Sequence, residues 1–384
     1  MDLPEKGLSA EDLATRLMDH RSKDTPFLSG RVLGSMCTAP HPAGIEAFRI
    51  FQDTNLGDPL INPGAAELEA EVVRLLATIA GGGPRSGGLF VSGGTEANFV
   101  ALRLARDTTG RRKVVMPETA HFSFRKAAHA MGMEVETTPL TDGLRADVEA
   151  LARAVDDETA CVVGVAGNTE FGRVDDIHAI AEAGEAHDAW VHVDAAYGGF
   201  ILPFLREPRP FGLDVPGVDS VTLDPHKMGR APVPAGGLVV RDADVLATGA
   251  TETPYVSTSW QAGLLSTRPG AAAAGAWASL HAIGREGYRA QAEGALHLAR
   301  WLTDQLEAKG IEVIAEPELG IVPIRAQRAH DLRASLAEEG WKVSVTTLRE
   351  GIRVVCMPHV TSERLSEFLR VFPRVMRRHQ EAVA

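Results

Sequence analysis

The chain has 384 residues, of which 45% are hydrophobic and 23% charged, with a formal net charge of −12. These values are ordinary for a globular protein, and the length predicts either two domains or one large and one small domain. An acidic surface repels phosphate backbones, so nucleic acid is not an expected partner. Residues 1–19 lack the apolar core of a signal peptide, and no run reaches the roughly 18 apolar residues of a membrane span.

The chain contains three cysteines, Cys37, Cys161 and Cys356, which lie far apart and do not have metal-ligand spacing. An odd number of widely spaced cysteines is typical of a reducing compartment and not of a disulfide framework. We therefore predict a cytoplasmic protein without a metal site.

Residues 1–55 are rich in turns and are interpreted as an N-terminal segment. Beyond it, short apolar runs alternate with longer amphipathic stretches. The predicted strands are Gly88–Val91, Lys113–Met116, Cys161–Val165, Trp190–Val193, Ser220–Leu223 and Gly237–Val240. The predicted helices are Glu96–Arg106, Phe122–Met131, Asp147–Val155 and Asp176–His187. This alternation predicts a mostly parallel α/β sheet, in which ligands bind at the carboxyl ends of the strands.

The pattern changes near Gly270, which we interpret as the end of a large domain formed by residues 56–270. Helical sequence continues to about Gly310, and strand-like runs then alternate with helices at Asp331–Glu339 and from Ser362 to about Arg378. We predict that residues 271–384 form a small C-terminal α+β domain.

A lysine follows one of the predicted strands. Lys227 ends the segment Ser220–Lys227, in which Pro225 and His226 interrupt the strand. In a desolvated cleft such a lysine would have a lowered pKa and would act as a nucleophile or form a Schiff base. Taken alone, a solvated surface lysine is the simpler interpretation.

Asp194 closes another predicted strand, where a carboxylate is costly unless its charge has a partner. A protonated pyridine nitrogen would be such a partner, and the carboxylate would keep that nitrogen protonated. The alternatives are a metal ligand or a helix cap, but no cluster of histidines or carboxylates at ligand spacing accompanies Asp194.

A Gly-Gly turn connects the first predicted strand to a helix. Its backbone N–H groups would form an anion site, to which Ser92 and Thr95 would add hydroxyl donors. An ordinary turn with Thr95 as the N-cap residue is the alternative. After the second strand, His121 opens a helix and would stack on a planar cofactor, although a cap or core histidine is also compatible with this position.

In this order, these motifs resemble those of the fold-type-I pyridoxal-phosphate (PLP) enzymes of the group II amino-acid decarboxylase family, most closely its archaeal L-tyrosine/L-aspartate decarboxylase branch. The similarity extends over nearly the whole chain. It includes Gly34-Ser-Met-Cys-Thr, Asp53-Thr-Asn-Leu-Gly-Asp-Pro, Ser92-Gly-Gly-Thr-Glu-Ala-Asn, Ala120-His-Phe-Ser-Phe, His192-Val-Asp-Ala-Ala, Asp224-Pro-His-Lys-Met-Gly and Arg353-Val-Val-Cys-Met-Pro-His.

The resemblance implies the α/β fold of type-I PLP-dependent transferases and decarboxylation of L-aspartate to β-alanine, of L-tyrosine to tyramine, or of both. These products would serve coenzyme A and methanofuran synthesis. It also implies that Lys227 carries PLP as a Schiff base, that Asp194 pairs with the pyridine nitrogen, and that the reaction passes through a quinonoid. The other implied cofactor contacts are Gly94, Thr95 and His226 at the phosphate, Asn168 and Thr169 near the ring hydroxyl, and Ala196 and His121 on the two ring faces.

On the substrate side, the resemblance implies that Arg353 binds the carboxylate, as a bidentate guanidinium can. Tyr255 lies in a predicted mobile loop and is expected to protonate Cα, with His121 as the alternative donor. Thr267 resembles a residue that reaches the phosphate of a neighbouring subunit, which implies a homodimer with shared active sites.

Two other functions are compatible with the motifs. A PLP-dependent carbon–carbon lyase resembling sphingosine-phosphate lyase shares the lysine motif, but its class usually has a membrane anchor. A non-catalytic α/β binding protein would not need Lys227, Asp194 and His121 together.

Overall fold

The computed structural model describes residues 3–383 and has an α/β architecture. The strands are β1 (Gly87–Val91), β2 (Lys113–Pro117), β3 (Glu134–Thr138), β4 (Thr159–Val165), β5 (Trp190–Asp194), β6 (Ser220–Leu223), β7 (Gly236–Val240), β8 (Thr251–Glu252), β9 (Trp260–Gln261), β10 (Ile321–Arg325), β11 (Ser344–Thr346) and β12 (Gly351–Val355). The helices are α1 (Ala10–Arg21), α2 (Pro42–Ile50), α3 (Pro63–Ile79), α4 (Gly94–Thr109), α5 (Phe122–Met131), α6 (Val148–Ala154), α7 (Ile177–Glu185), α8 (Gly270–Glu307), α9 (Ala329–Glu338) and α10 (Ser362–Val383).

The central sheet has the strand order β1-β7-β6-β5-β4-β2-β3, and β7 is antiparallel to both of its neighbours. The remaining pairs are parallel, which confirms the predicted mostly parallel sheet. Successive residues point to opposite faces, so Val162 joins one hydrophobic cluster and Val163 another. Helices therefore cover both faces of the sheet.

The sequence analysis missed β3, which lies at one edge of the central sheet. Its residues are Glu, Val, Glu, Thr and Thr, and Glu134 and Glu136 are exposed. Charged side chains on an edge strand oppose pairing with other chains, and they also remove the apolar run that identifies a strand in a sequence.

A second sheet has the order β10-β12-β11 and is antiparallel. It shares a core with α9, α10 and the end of α8, in which Trp341, Phe368 and Phe372 are buried. This is the α+β arrangement predicted after Gly270. Helix α8 is interrupted at Gly284, whose φ of 63° is readily adopted only by glycine.

The parallel strands bring the predicted site residues to one edge of the central sheet. Strand β1 runs in the same direction as β6, because β7 is antiparallel to both. The carboxyl ends of β1, β2, β4, β5 and β6 therefore meet at the edge where ligands bind in such sheets. None of the helices in residues 3–383 combines the length and hydrophobicity that a bilayer crossing needs.

Candidate active site

A cavity of about 420 Å³ opens at the carboxyl ends of the strands. Most of the predicted site residues line it: Ser92, Gly94, Thr95, His121, Thr169, Asp194, Ala196, His226 and Lys227. The two residues on which the prediction depends, Lys227 and Asp194, thus face the same cavity.

Lys227 is held by a carboxylate that the sequence analysis did not single out. Its Nζ lies 3.0 Å from Asp224 Oδ2, and the Asp224 side chain is almost fully buried. Burial alone would lower the pKa of Lys227, but the charges of Asp224 and Asp194 outweigh it and raise the pKa. The predicted lowered pKa is therefore wrong for the protein without its cofactor, because the lysine has an anionic partner.

Asp194 ends β5 and is buried. One carboxylate oxygen accepts a hydrogen bond from Asn98 Nδ2 at 3.0 Å, and the other accepts one from the backbone N–H of Ala196 at 3.1 Å. Both donors fix the orientation of the carboxylate. The carboxylate also borders the cavity, where a cationic ring nitrogen would complete its contacts.

The turn after β1 forms a cradle that suits an anion. Helix α4 begins with Gly93 as its N-cap residue, and not with Thr95 as the alternative interpretation required. A Cβ atom at Gly93 would lie 3.0 Å from His226 Cε1, and one at Gly94 would lie 3.0 Å from Asp224 Oδ2. Glycine thus lets the turn approach the lysine loop closely, and the helix N-terminus can bind a phosphate there.

His121 is the N-cap residue of α5, and its Nδ1 accepts a hydrogen bond from the backbone N–H of Ser123 at 3.3 Å. Burial is the main cause that lowers its pKa, which favours the neutral imidazole. A neutral ring that borders the cavity can stack on a planar cofactor while its Nε2 carries the proton.

Asn168 does not reach the cavity, which contradicts the expected contact with the ring hydroxyl. Its Nδ2 donates to the backbone carbonyl of Leu144, and its Oδ1 accepts from the backbone N–H of Phe171. The side chain therefore stabilises the loop after β4, and its neighbour Thr169 is the residue that borders the cavity.

Three further predicted residues also lie away from the cavity lining. Tyr255 is 89% exposed and Thr267 is exposed on a nearby loop, so neither reaches the cavity of its own chain. Arg353 lies within β12 and is buried. Among the described residues, its Nε and Nη1 have no hydrogen-bond partner.

The cavity also contains residues that the sequence analysis did not single out, among them Asn98, Thr119 and Tyr197. The Thr119 hydroxyl and the Tyr197 hydroxyl are buried and have no partner within residues 3–383. Buried polar groups are normally hydrogen-bonded, so these two unpartnered hydroxyls indicate that the cavity binds a polar ligand. Asn98 was detectable as a polar residue four positions after the Gly-Gly turn, on the helix face that meets β5.

A lysine paired with a carboxylate, a second buried carboxylate and a helix-start turn that suits an anion surround one cavity of this fold. These are the groups that a PLP-dependent enzyme needs. The chain belongs to the family described as pyridoxal-dependent decarboxylase conserved domain, whose match covers residues 53–327. It is accordingly a PLP-dependent amino-acid decarboxylase, that is, a carboxy-lyase.

Several known proteins are similar over most of the chain. A probable L-tyrosine/L-aspartate decarboxylase of Methanothrix thermoacetophila is 44% identical over 95% of this chain and 95% of that protein. An L-aspartate decarboxylase of Thermococcus kodakarensis is 40% identical over 98% of this chain and 99% of its own length. The structure of a sphingosine-1-phosphate lyase of Burkholderia pseudomallei superposes with a TM-score of 0.90 at 25% identity, covering 100% of this chain and 94% of that one.

Proposed function

We propose that this enzyme decarboxylates L-aspartate, L-tyrosine or both, with PLP covalently attached to Lys227. The observation that carries the proposal is that Lys227 and Asp194 border one cavity together with an anion-binding turn. Bound PLP supplies an electron-accepting ring that stabilises the negative charge left on Cα when CO2 departs.

Different residues of the chain bind different parts of the cofactor. Asp194 keeps the proton on the ring nitrogen, since a buried carboxylate is stabilised by a cation beside it. The N–H groups at the start of α4, with Thr95 and Ser92, bind the phosphate together with His226. His121 and Ala196 enclose the ring, and Thr169 is available to its hydroxyl.

Arg353 is proposed to bind a carboxylate of the substrate and so to orient the substrate at Cα. Its guanidinium is buried and, within the described part of the chain, keeps Nε and Nη1 unpartnered. Unpartnered N–H donors on a buried guanidinium suit a carboxylate, whose oxygens accept hydrogen bonds from a cation. Orientation selects which bond at Cα is broken, because that bond must stand perpendicular to the ring.

A second copy of the chain is proposed to complete the active site. Tyr255, the expected proton donor to Cα, is exposed, and so are the nearby apolar side chains of Trp260, Leu264 and Leu265. Exposed apolar groups clustered around one loop favour burial against another protein surface. In a homodimer this loop, with Thr267, would reach the cavity of the other subunit.

We also propose that the enzyme is located in the cytoplasm.

The relatives support aspartate and tyrosine as substrates, since both amino acids occur in the name of a protein that is 44% identical. The cavity lining includes the apolar side chains of Met36, Phe122 and Val233, which suit an aromatic substrate. Arg353 supplies a cation for a carboxylate. The products would be β-alanine for coenzyme A or tyramine for methanofuran.

A screen for CO2 release tests this proposal. PLP-loaded enzyme is incubated separately with aspartate, tyrosine, glutamate and other aromatic amino acids, and the amines are identified by mass spectrometry. We expect CO2 with equimolar β-alanine or tyramine, and no CO2 from the Lys227→Ala variant. Release from neither aspartate nor tyrosine would contradict the proposed substrates.

The structural similarity to a sphingosine-1-phosphate lyase raises a carbon–carbon lyase as the second candidate. The same assay separates the two reactions, since such a lyase releases an aldehyde and no CO2. The decarboxylase family membership favours CO2.

A further inference from the structure

Asn98 occupies the centre of a buried hydrogen-bond network beside Asp194. It lies on α4, is 1% exposed and borders the cavity. Its Nδ2 is 3.0 Å from Asp194 Oδ2 and 3.0 Å from Ser123 Oγ. Its Oδ1 is 2.8 Å from Thr222 Oγ1 and 3.2 Å from His192 Nε2. Both donors and both acceptor positions of the amide are therefore in use.

The chemistry of the partners fixes the orientation of this amide. An ionised carboxylate can only accept hydrogen bonds, so the NH2 group of Asn98 must face Asp194. The amide oxygen then faces His192, whose Nε2 lies 3.2 Å from both Asn98 Oδ1 and Thr222 Oγ1. The tautomer with its hydrogen on Nε2 can donate to the amide oxygen. The Thr222 hydroxyl donates to the same oxygen.

The network continues away from the cavity to a group that can only donate. Trp190 Nε1 donates to Ser220 Oγ at 2.8 Å, and Ser220 Oγ lies 2.8 Å from His192 Nδ1. Because the indole can only donate, the Ser220 hydroxyl is free to give its own hydrogen to Nδ1. Burial lowers the pKa of His192 to about 4, so the imidazole is neutral and one nitrogen accepts while the other donates.

Every hydrogen bond on this path thus runs in one direction, from Trp190 through Ser220, His192 and Asn98 to Asp194. A carboxylate that receives such a bond is fixed in its orientation. Hydrogen bonds in a chain also polarise one another in a buried environment. The end of the path is the group that faces the cofactor.

We propose that Asn98 is a positioning residue that orients Asp194 toward the cofactor ring, with His192 directing the amide. This inference rests on the proposed function, because it assigns Asn98 and His192 to the protonation of the cofactor ring. If the path is broken, Asp194 is no longer held toward the ring nitrogen, and that nitrogen loses the anion that would keep it protonated. The cofactor is then held by a neutral contact in place of an ion pair.

The test is 15N NMR of the full-length enzyme loaded with PLP that is 15N-labelled in its ring, since the chemical shift reports whether that nitrogen is protonated. We expect a protonated ring nitrogen in the wild type and a shift toward the neutral form in Asn98→Leu. The affinity of the apoenzyme for PLP, measured by fluorescence, should fall about tenfold or more, as for a lost hydrogen bond to a charged group.

Two variants of His192 provide a matched pair. They test the same inference if Asn98→Leu does not fold. His192→Gln keeps an acceptor for Ser220 and a donor for Asn98, so the wild-type shift should persist. His192→Leu removes both and should move the shift as Asn98→Leu does. Leu302 is buried in the core beneath the second sheet, so Leu302→Ala should lower the stability of the protein. It should leave the ring-nitrogen shift unchanged.

The outcomes separate this inference from the proposed function. If borohydride does not fix PLP to Lys227 in the wild type, the proposed function fails. If PLP is attached to Lys227, two results would each refute the role of Asn98. One is an Asn98→Leu variant with the ring-nitrogen shift and the PLP affinity of the wild type. The other is a His192→Leu variant with the wild-type ring-nitrogen shift. A shift in Leu302→Ala as large as in Asn98→Leu would also refute it.

Discussion

Lys227 Nζ and Asp224 Oδ2 are 3.0 Å apart at the base of the cavity. The Asp224 carboxylate, helped by Asp194, raises the pKa of Lys227 although burial acts in the opposite direction. At neutral pH the side chain is therefore an ammonium ion in the protein without cofactor. It must lose a proton before it can attack an aldehyde, and Asp224 is the nearest group that affects this loss.

Replacing Asp224 with Asn should make Lys227 easier to deprotonate. The pKa of the lysine should fall, because its main anionic partner is lost while the desolvation remains. Attachment of PLP to the apoenzyme, followed by stopped-flow absorbance, should reach its half-maximal rate at a lower pH than in the wild type. Asp244→Asn, at an exposed position, serves as the control. An unchanged or higher midpoint in Asp224→Asn would show that the ion pair does not govern the lysine.

Arg353 variants should weaken substrate binding more than they affect the fold. Arg353→Leu loses hydrogen bonds to a charged group, so KM should rise about ten- to a hundredfold. Arg353→Lys keeps the charge but cannot form two parallel hydrogen bonds, and its KM should lie between those of the wild type and Arg353→Leu. Steady-state kinetics provide the measurement. Equal KM values in the three enzymes would exclude Arg353 from the substrate site.

Tyr255→Phe should slow the formation of amine and increase an aldehyde by-product, because protonation of Cα loses its donor. The product ratio is measured by chromatography with the wild type as control. If amine forms at the wild-type rate without additional aldehyde, Tyr255 is not the donor, and His121 becomes the candidate.

Mixing two variants that form little amine tests whether Tyr255 acts across a subunit interface. A heterodimer of Lys227→Ala and Tyr255→Phe chains contains one intact site if the tyrosine comes from the other subunit. Random exchange of subunits should then restore about a quarter of the wild-type activity. No recovery after verified subunit exchange would place both residues in a site within one chain.

His192 should make the stability of the apoenzyme depend on pH. Its folded pKa of about 4 lies below the usual 6.5, so the unfolded chain binds a proton that the folded chain does not bind between these values. The free energy of unfolding therefore falls as the pH is lowered from 6.5 to 4, by about 3 kcal/mol for this group. His192→Gln should not show this loss.

Urea unfolding of both proteins at several pH values measures the difference. Asp175 and Asp219, whose pKa values are raised to about 6 mainly by burial, titrate in both proteins and cancel in the comparison. A stability difference between the two proteins that stays constant from pH 6.5 to 4 would mean that His192 is not buried as a neutral ring.

Much of the fold was predictable because the buried strands carry their own signal. Strands β4 to β7 are apolar runs buried along their whole length, and each was found within two residues of its ends. The edge strand β3 was missed, because an exposed edge selects for charge and not for an apolar run. Strand β1 at the opposite edge was found, because its residues are apolar or small and none is exposed. Local pattern thus identifies the strands that are covered and misses the exposed, charged one.

The candidate site was predictable where a residue follows a strand directly, as Lys227 and Asp194 do. The orientation of a side chain was not predictable, since Asn168 turns its amide to the backbone of its own loop while Thr169 beside it faces the cavity. The raised pKa of Lys227 was also missed, because it depends on a turn that brings the carboxylate of Asp224, three residues earlier, within 3.0 Å of the lysine Nζ. Charge pairs of this kind depend on geometry that spacing alone does not fix.

The central claim is that one lysine, Lys227, carries the cofactor of a decarboxylase. Borohydride reduction of the PLP-loaded enzyme, followed by proteolysis and mass spectrometry, tests it most directly. We predict one modified peptide, with the reduced cofactor on Lys227, and loss of CO2 release in parallel with the modification. Cofactor on a different lysine, or CO2 release that persists after complete modification of Lys227, would contradict the account.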